Sequence, residues 1–254
     1  MTPRTIEVRR YVTPLREGGS MPAIVEGDDQ GLYVLKFRGS GQGAKALIAE
    51  LVAGEIARAL ELDVPEIVLA QVDADLARTE ADPEIQALIR ASAGLNLALD
   101  YLPGSVTYDA LAWRPTPEIA SRIVWFDAFV SNVDRTAKNV NLLLWHGRLR
   151  LIDHGAALYF HHDWSTASGR SGDPFERIRD HVLLPIASRI ADVDESLAAR
   201  LTPEVLRGIV EAIPDEWLAD SGGAARRDDY FKLLTARVTA PRRFVEEAIR
   251  ARTR

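Results

Sequence analysis

A chain of 254 residues, 47% hydrophobic and 27% charged, is long enough to bury a sizeable core and has the make-up of a folded globular protein, which excludes the disordered and fibrous classes. Its formal net charge of −6 argues against direct nucleic-acid binding, and the lack of any cysteine removes disulfide frameworks and thiolate chemistry. No apolar run reaches the roughly 18 residues of a membrane span, and MTPRTIEVRR lacks the apolar centre of a secretion signal, so a cytoplasmic protein without a membrane span is expected.

In chain order, Thr5–Val12 and Met21–Glu26 read as strands joined by a glycine-containing turn. The backbone amides of Gly18, Gly19 and Ser20 in that turn are unobstructed enough to face a phosphate, although two glycines in a hairpin equally make an ordinary turn. After a second turn at Glu26–Gly31 comes the strand Gly31–Phe37, whose single charge, Lys36, either needs a partner in the core or snorkels to water. Arg38–Gly43 is glycine-dense and is a second possible phosphate contact.

Ala44–Leu62 follows with the Ala- and Leu-rich pattern of a long helix. Glu50 and Glu55 stand roughly 140° apart around it, so at most one can face Lys36; Glu50 is the first choice and Glu55 the alternate. Ile67–Val72 reads as a strand close to a sheet edge, and Asp73–Arg90 as acidic and solvated. Leu95–Leu102 is apolar and ends at Pro103-Gly104. The backbone of Leu99, Asp100, Tyr101 and Leu102 could hold an adenine ring, or the segment is an internal strand before a turn.

Thr116-Pro117-Glu118 has a capping hydroxyl, a proline and an acid in the order that opens a helix. That helix runs through Trp125-Phe126-Asp127-Ala128-Phe129, where Asp127 among apolar neighbours suits a hydrogen-bonded anchor. The polar run Ser131–Asn139 follows, then two apolar runs, Val140–Trp145 and Leu149–Ile152, joined by His146-Gly147 as a hairpin. The hairpin ends on Asp153-His154-Gly155, with Gly155 free to adopt backbone angles that other residues avoid.

Asp134 and Asn139 are five positions apart, as are the Asp and Asn of the protein-kinase catalytic loop, and Asp153-His154-Gly155 lies one hairpin later, where a kinase keeps a metal-binding Asp. Phosphoryl transfer needs a carboxylate to orient the nucleophile and hard oxygens to hold magnesium. VDRTAKNVNLLL followed by LIDHG resembles the corresponding blocks of phosphatidylinositol-kinase-like proteins and is most similar to the HipA-like kinases. YVLKFRGSGQGAKALIAELVAGEIARALELDVPEIV and Phe126-Asp127-Ala128 share that likeness, over roughly residues 30–185. Thr136 stands where His is usual and His154 where Phe is usual.

The resemblance implies an α+β, two-lobed kinase-like fold: a small antiparallel β lobe with one helix over residues 1–103, and a mainly helical catalytic lobe over 104–254. It implies an ATP- and Mg²⁺-dependent transfer of the γ-phosphoryl group to a hydroxyl, with a protein Ser or Thr as acceptor, and a lipid or small-molecule hydroxyl or a nucleotide-binding pseudokinase as the other readings. Lys36, held by Glu50, orients the phosphates in this scheme; Asp134 positions the hydroxyl; Asn139 and Asp153 bind the metal. Lys138 either faces the transferring phosphate or is a solvated loop lysine. HipA-like proteins can act with an antitoxin-like protein partner, but no surface for one is legible.

Past Gly155, His161-His162-Asp163 does not have zinc-site spacing, and the polar loop that follows offers Ser165, Thr166, Ser168 and Ser171 as hydroxyls in the position of an activation segment. Residues 176–254 read as a helical scaffold with breaks at Asp192–Glu195, Ile213-Pro214, Asp220–Gly223 and Ala240-Pro241, and with Trp217, Tyr230, Phe231 and Phe244 in its core.

Overall fold

Alternating burial marks the first strands. β1 (Thr5–Pro14) buries Ile6 and Val8 between exposed neighbours, β2 (Ala23–Gly27) buries Ala23 and Val25, and β3 (Leu32–Lys36) buries Tyr33, Leu35 and Lys36. The computed structural model, which describes residues 3–15, 21–41, 43–219 and 222–253, closes these strands with β4 (Ile67–Val72) and β5 (Gly94–Asp100) into a barrel of order β1-β2-β3-β5-β4. All its pairings are antiparallel except β1 with β4, which is parallel. The expectation that β4 lies near a sheet edge is therefore corrected: it is bonded on both sides, and closure leaves no open edge to pair with another chain.

α1 (Gly43–Ala59) crosses beside the barrel, and every residue from Leu47 to Ala57 is buried. A helix buried on all sides belongs inside a core, and this one packs against the helix Pro203–Glu211 as well as β5. The segment expected to be solvated, Asp73–Arg90, instead forms a 3₁₀ turn at Ala74–Thr79 and α2 (Pro83–Ala91). Its minority of apolar residues, Ala77, Ile85 and Ile89, fall on one face and close the barrel. The acidic residues that suggest solvation occupy the other face.

β6 (Val106–Thr107), β7 (Leu142–Trp145) and β8 (Arg148–Leu151) make a second sheet. The helical part comprises α3 (Pro117–Phe129), α4 (Trp164–Ala167), α5 (Ile190–Ala198), α6 (Pro203–Glu211), α7 (Asp215–Leu218), α8 (Ala224–Val238) and α9 (Arg243–Arg252). Thr116 caps α3, its hydroxyl accepting the Ile119 amide at 3.2 Å. Asp192–Glu195 lies inside α5 rather than between helices, because Ile190, Val193 and Leu197 bury one helical face and leave the acids on the other. Trp217, Tyr230 and Phe244 are buried, as expected of a scaffold.

One apolar cluster runs without interruption from Leu47 on α1 through β4, β5 and α3 to Ala248 on α9; a smaller one fills the barrel. Hydrogen bonds stitch the same seam: the Leu151 amide to the Asp63 carbonyl at 2.8 Å, Arg122 to the Leu60 carbonyl at 2.6 Å, and the Trp217 indole to the Leu95 carbonyl at 3.0 Å. No helix among the described residues is long and apolar enough to cross a membrane.

Candidate active site

The site is built on three elements that meet where the barrel faces the helical part: β3, α1, and the loop and hairpin from α3 to β8. Lys36 is the last residue of β3, with side-chain exposure of 11%, and its ammonium donates to Asp153 Oδ1 at 2.8 Å. Burial alone would depress that lysine, but the negative charges of Glu50 and Asp153, the bond to Asp153 and the more distant Asp134 outweigh it and raise its pKa.

Glu50 is the α1 glutamate that faces this lysine; Glu55 lies 3.7 Å from Arg58 on its own helix instead. The expected direct Lys36–Glu50 contact is not formed. The Glu50 carboxylate accepts from His154 Nδ1 at 3.3 Å, and it acts on Lys36 through its field. Burial opposes its ionisation, yet the Lys36 charge and the His154 hydrogen bond prevail and hold it down at about 2.

The loop that carries Asp134 and Asn139 hangs from a buried hub. Asp127, on α3, accepts from Asn132 Nδ2 at 2.8 Å, Arg135 Nε at 2.6 Å and His181 Nε2 at 2.9 Å. His181 Nδ1 accepts the Leu183 amide at 3.0 Å, so the ring's proton is on Nε2 and is donated to Asp127. Burial works against the Asp127 charge, but Arg135 and His181 hold its carboxyl far below the usual range. Asp127 is thus an anchor, the role its apolar setting suggests. His181 has no local signal in the sequence, lying 54 positions away.

Arg135 also donates to the carbonyl of Asn141, and the Ile152 amide meets the same carbonyl at 3.2 Å. This pins Asn141 in the left-handed region at φ 49°, which asparagine tolerates better than most residues. β7 consequently starts at Leu142, and Val140 and Asn141 belong to the loop. The hairpin turn is His146-Gly147, with φ of 49° and 73°, both positive as a tight two-residue turn between twisted strands requires. At the hairpin's end the left-handed residue is Asp153, φ 54°, not Gly155. A Cβ on Gly155 would sit 3.7 Å from both Asp153 Oδ1 and Glu50 Oε2, so that glycine lies directly beside both carboxylates.

Asp134 accepts from Asn139 Nδ2 at 2.6 Å and Asn141 Nδ2 at 3.3 Å. A carboxylate has no proton to give, so both amides present nitrogen to it and leave their oxygens for other partners. Burial and the Asp153 charge push Asp134 up against the pull of these bonds. Asn141 was missed by sequence reasoning; its signal is a polar residue interrupting the apolar run Val140–Trp145. Asp153 and the amide oxygen of Asn139 are hard donors of the kind that suits a magnesium-like cation, whose remaining positions phosphate and water would fill.

Other expected residues fall less centrally. Lys138 is exposed on the loop beside Asn139 and makes no ion pair among the described residues. The amides of Asp100 and Tyr101 are used by the Glu66 and Leu32 carbonyls at 2.9 Å each, and Leu99 is paired with Val34 and Ile67 inside the barrel. Of these residues, Leu102 has an amide that meets no acceptor among the described residues. Gly18, Gly19 and Ser20 lie outside the described residues. In the segment after Gly155, Asp163 accepts from the hydroxyls of Ser165 and Thr166, and Arg237 grips the carbonyls of Ser171 and Asp173.

Comparison with known proteins bears on the fold and the family. No curated protein sequence matches the chain. By structure it is similar to the Helicobacter pylori proinflammatory kinase CtkA, with a TM-score of 0.56 at 13% identity over 97% of each chain. It is also similar to the Golgi casein kinase with Mn/ADP bound, with a TM-score of 0.53 at 11% identity over 99% of this chain and 74% of that one. These likenesses carry the two-lobed α+β kinase fold. The family model described as HipA-like kinase matches residues 7–240, and the chain belongs to the HipA-like kinase family.

Proposed function

We propose that this protein transfers the γ-phosphoryl group of ATP to a hydroxyl, with a divalent cation, and that its acceptor is a serine or threonine of another protein. The observation that carries the reading is the meeting of Lys36, Glu50, Asp134, Asn139 and Asp153 in one cleft from elements up to 117 positions apart. The Golgi casein kinase carries Mn and ADP, which supports a nucleotide with a divalent metal, and its name gives a protein acceptor.

In this reading Lys36 leaves Asp153 for the nucleotide's phosphates and neutralises them, its raised pKa keeping it charged. Asp134, oriented by Asn139 and Asn141, holds the acceptor hydroxyl in line and receives its proton. Asp153, with the Asn139 oxygen, holds the cation, Mg²⁺ in the cell. Such a cation, when bound, would supply positive charge that offsets the charge developing in transfer. The Leu102 amide holds the adenine, and Lys138, exposed beside Asn139, faces the transferring phosphate.

The test is phosphate incorporation and ATP consumption with Mg²⁺ for the wild type beside Asp134→Ala and Asp153→Ala, with intact mass to detect self-modification. Wild-type turnover that falls about 10²–10⁴-fold in Asp134→Ala, with both variants folded, supports the assignment. A wild type that binds ATP and phosphorylates neither itself nor any protein of a cell extract indicates a pseudokinase. Absence of nucleotide binding overturns both.

A further inference from the structure

Lys36 has one ammonium and two tasks. Its present partner, Asp153 Oδ1 at 2.8 Å, is an oxygen that a bound cation would take, and the lysine must then turn to phosphate. If Glu50 relied on that mobile lysine for its only hydrogen bond, each turnover would leave a buried carboxylate without a donor and loosen α1. Glu50 is 2% exposed, and His154 Nδ1 reaches its Oε1 at 3.3 Å.

The ring of His154 is fully buried, its edge set against Phe126 with centroids 5.7 Å apart and planes at 77°. Because a carboxylate only accepts, Nδ1 carries the proton. Nε2 meets no hydrogen-bond partner among the described residues. A buried ring nitrogen left unpaired is costly, so the arrangement is stable only through the single bond the ring does make. A phenylalanine would fill the same space and supply no side-chain donor, leaving Glu50 only the backbone N–H at position 154.

We propose that His154 is a positioning residue: it holds Glu50, and through it α1, against the end of β8 independently of Lys36, so that the lysine can pass between Asp153 and the nucleotide's phosphates while the cleft keeps its shape. This rests on the kinase reading above. Asp153 and His154, adjacent in the chain, thus divide the work: one exchanges its partner during turnover and the other keeps its own.

The experiment joins a spectrum to kinetics. A long-range ¹H–¹⁵N histidine spectrum of the full chain, without nucleotide, is expected to show a proton on His154 Nδ1; a ring protonated on Nε2 alone overturns the proposal without reference to activity. In kinetics with ATP and Mg²⁺, His154→Phe is expected to lose about tenfold or more in kcat with less than about threefold change in KM for ATP, the signature of a group acting on the transition state. His154→Gln, which can donate to Glu50, is expected to recover most of that loss. A His154→Phe enzyme matching wild type, or a His154→Gln enzyme as impaired as His154→Phe, overturns the positioning role. A wild type that neither binds nor turns over nucleotide overturns the reading of the cleft itself, which the spectrum tells apart.

Discussion

Asp127 concentrates more consequence than any other single side chain in the protein. It receives three buried donors, and its low pKa means that folding stabilises its charged form. A carboxyl depressed in the fold contributes stability that is complete above its ordinary value of 3.8 and is lost as pH falls below it. Asp127→Asn is expected to cost about 3–5 kcal/mol at neutral pH, because it leaves Arg135 buried beside a partner without charge. Denaturant midpoints measure this. The gap between variant and wild type should narrow as the medium is taken from about pH 4 to about pH 2; a constant gap would refute the assignment of that acid-labile term to Asp127. Lys36→Met removes the charge facing Glu50, Asp153 and Asp134, and is expected to weaken nucleotide binding at least about tenfold in a calorimetric titration.

At the scale of elements, short local devices set the ends from which the site hangs. Thr116→Ala removes the cap of α3, and a loss of about 1 kcal/mol in chemical denaturation is expected, with little effect on turnover since α3 stays packed on α5 and α9. Gly147→Ala places a side chain at φ 73° in open space, so the cost is backbone strain alone, about 1–2 kcal/mol. Its consequence for activity should be small, because the β7–β8 register is also fixed by the pairing of Leu142 with Leu151 beside Asp153. If Gly147→Ala abolishes turnover while remaining folded, the hairpin is coupled to Asp153 more tightly than its hydrogen bonds indicate.

For the whole molecule, the continuous core across position 103 predicts joint behaviour of barrel and helices. Amide exchange should show β5 and α3 losing protection in one transition, and a barrel that opens at markedly lower denaturant would contradict this. Trp217→Phe removes the indole bond to the Leu95 carbonyl and leaves that acceptor unpaired, at an expected cost of about 1–3 kcal/mol. Because Arg38 and Glu216 pair at 2.8 Å beside it, the same variant is expected to perturb the segment before α1 and its first turn, which exchange protection at residues 39–41 and 43–47 would reveal.

Much of the site was legible because chemistry fixes local spacing. A loop that presents Asp134 and Asn139 together, a hairpin that returns Asp153, and a lysine alone in an apolar strand are short-range patterns, as are the Thr116 cap and the His146-Gly147 turn. The sequence by itself determined these, since each depends on neighbours within a few positions. Only tertiary structure decided which donor meets which acceptor. That Lys36 rests on Asp153 while His154 takes Glu50, that His181 completes the Asp127 hub, and that α2 seals the barrel all depend on residues brought together from far along the chain. Buried charges accept whichever partner satisfies them with the least desolvation left uncompensated, and that balance is struck in three dimensions.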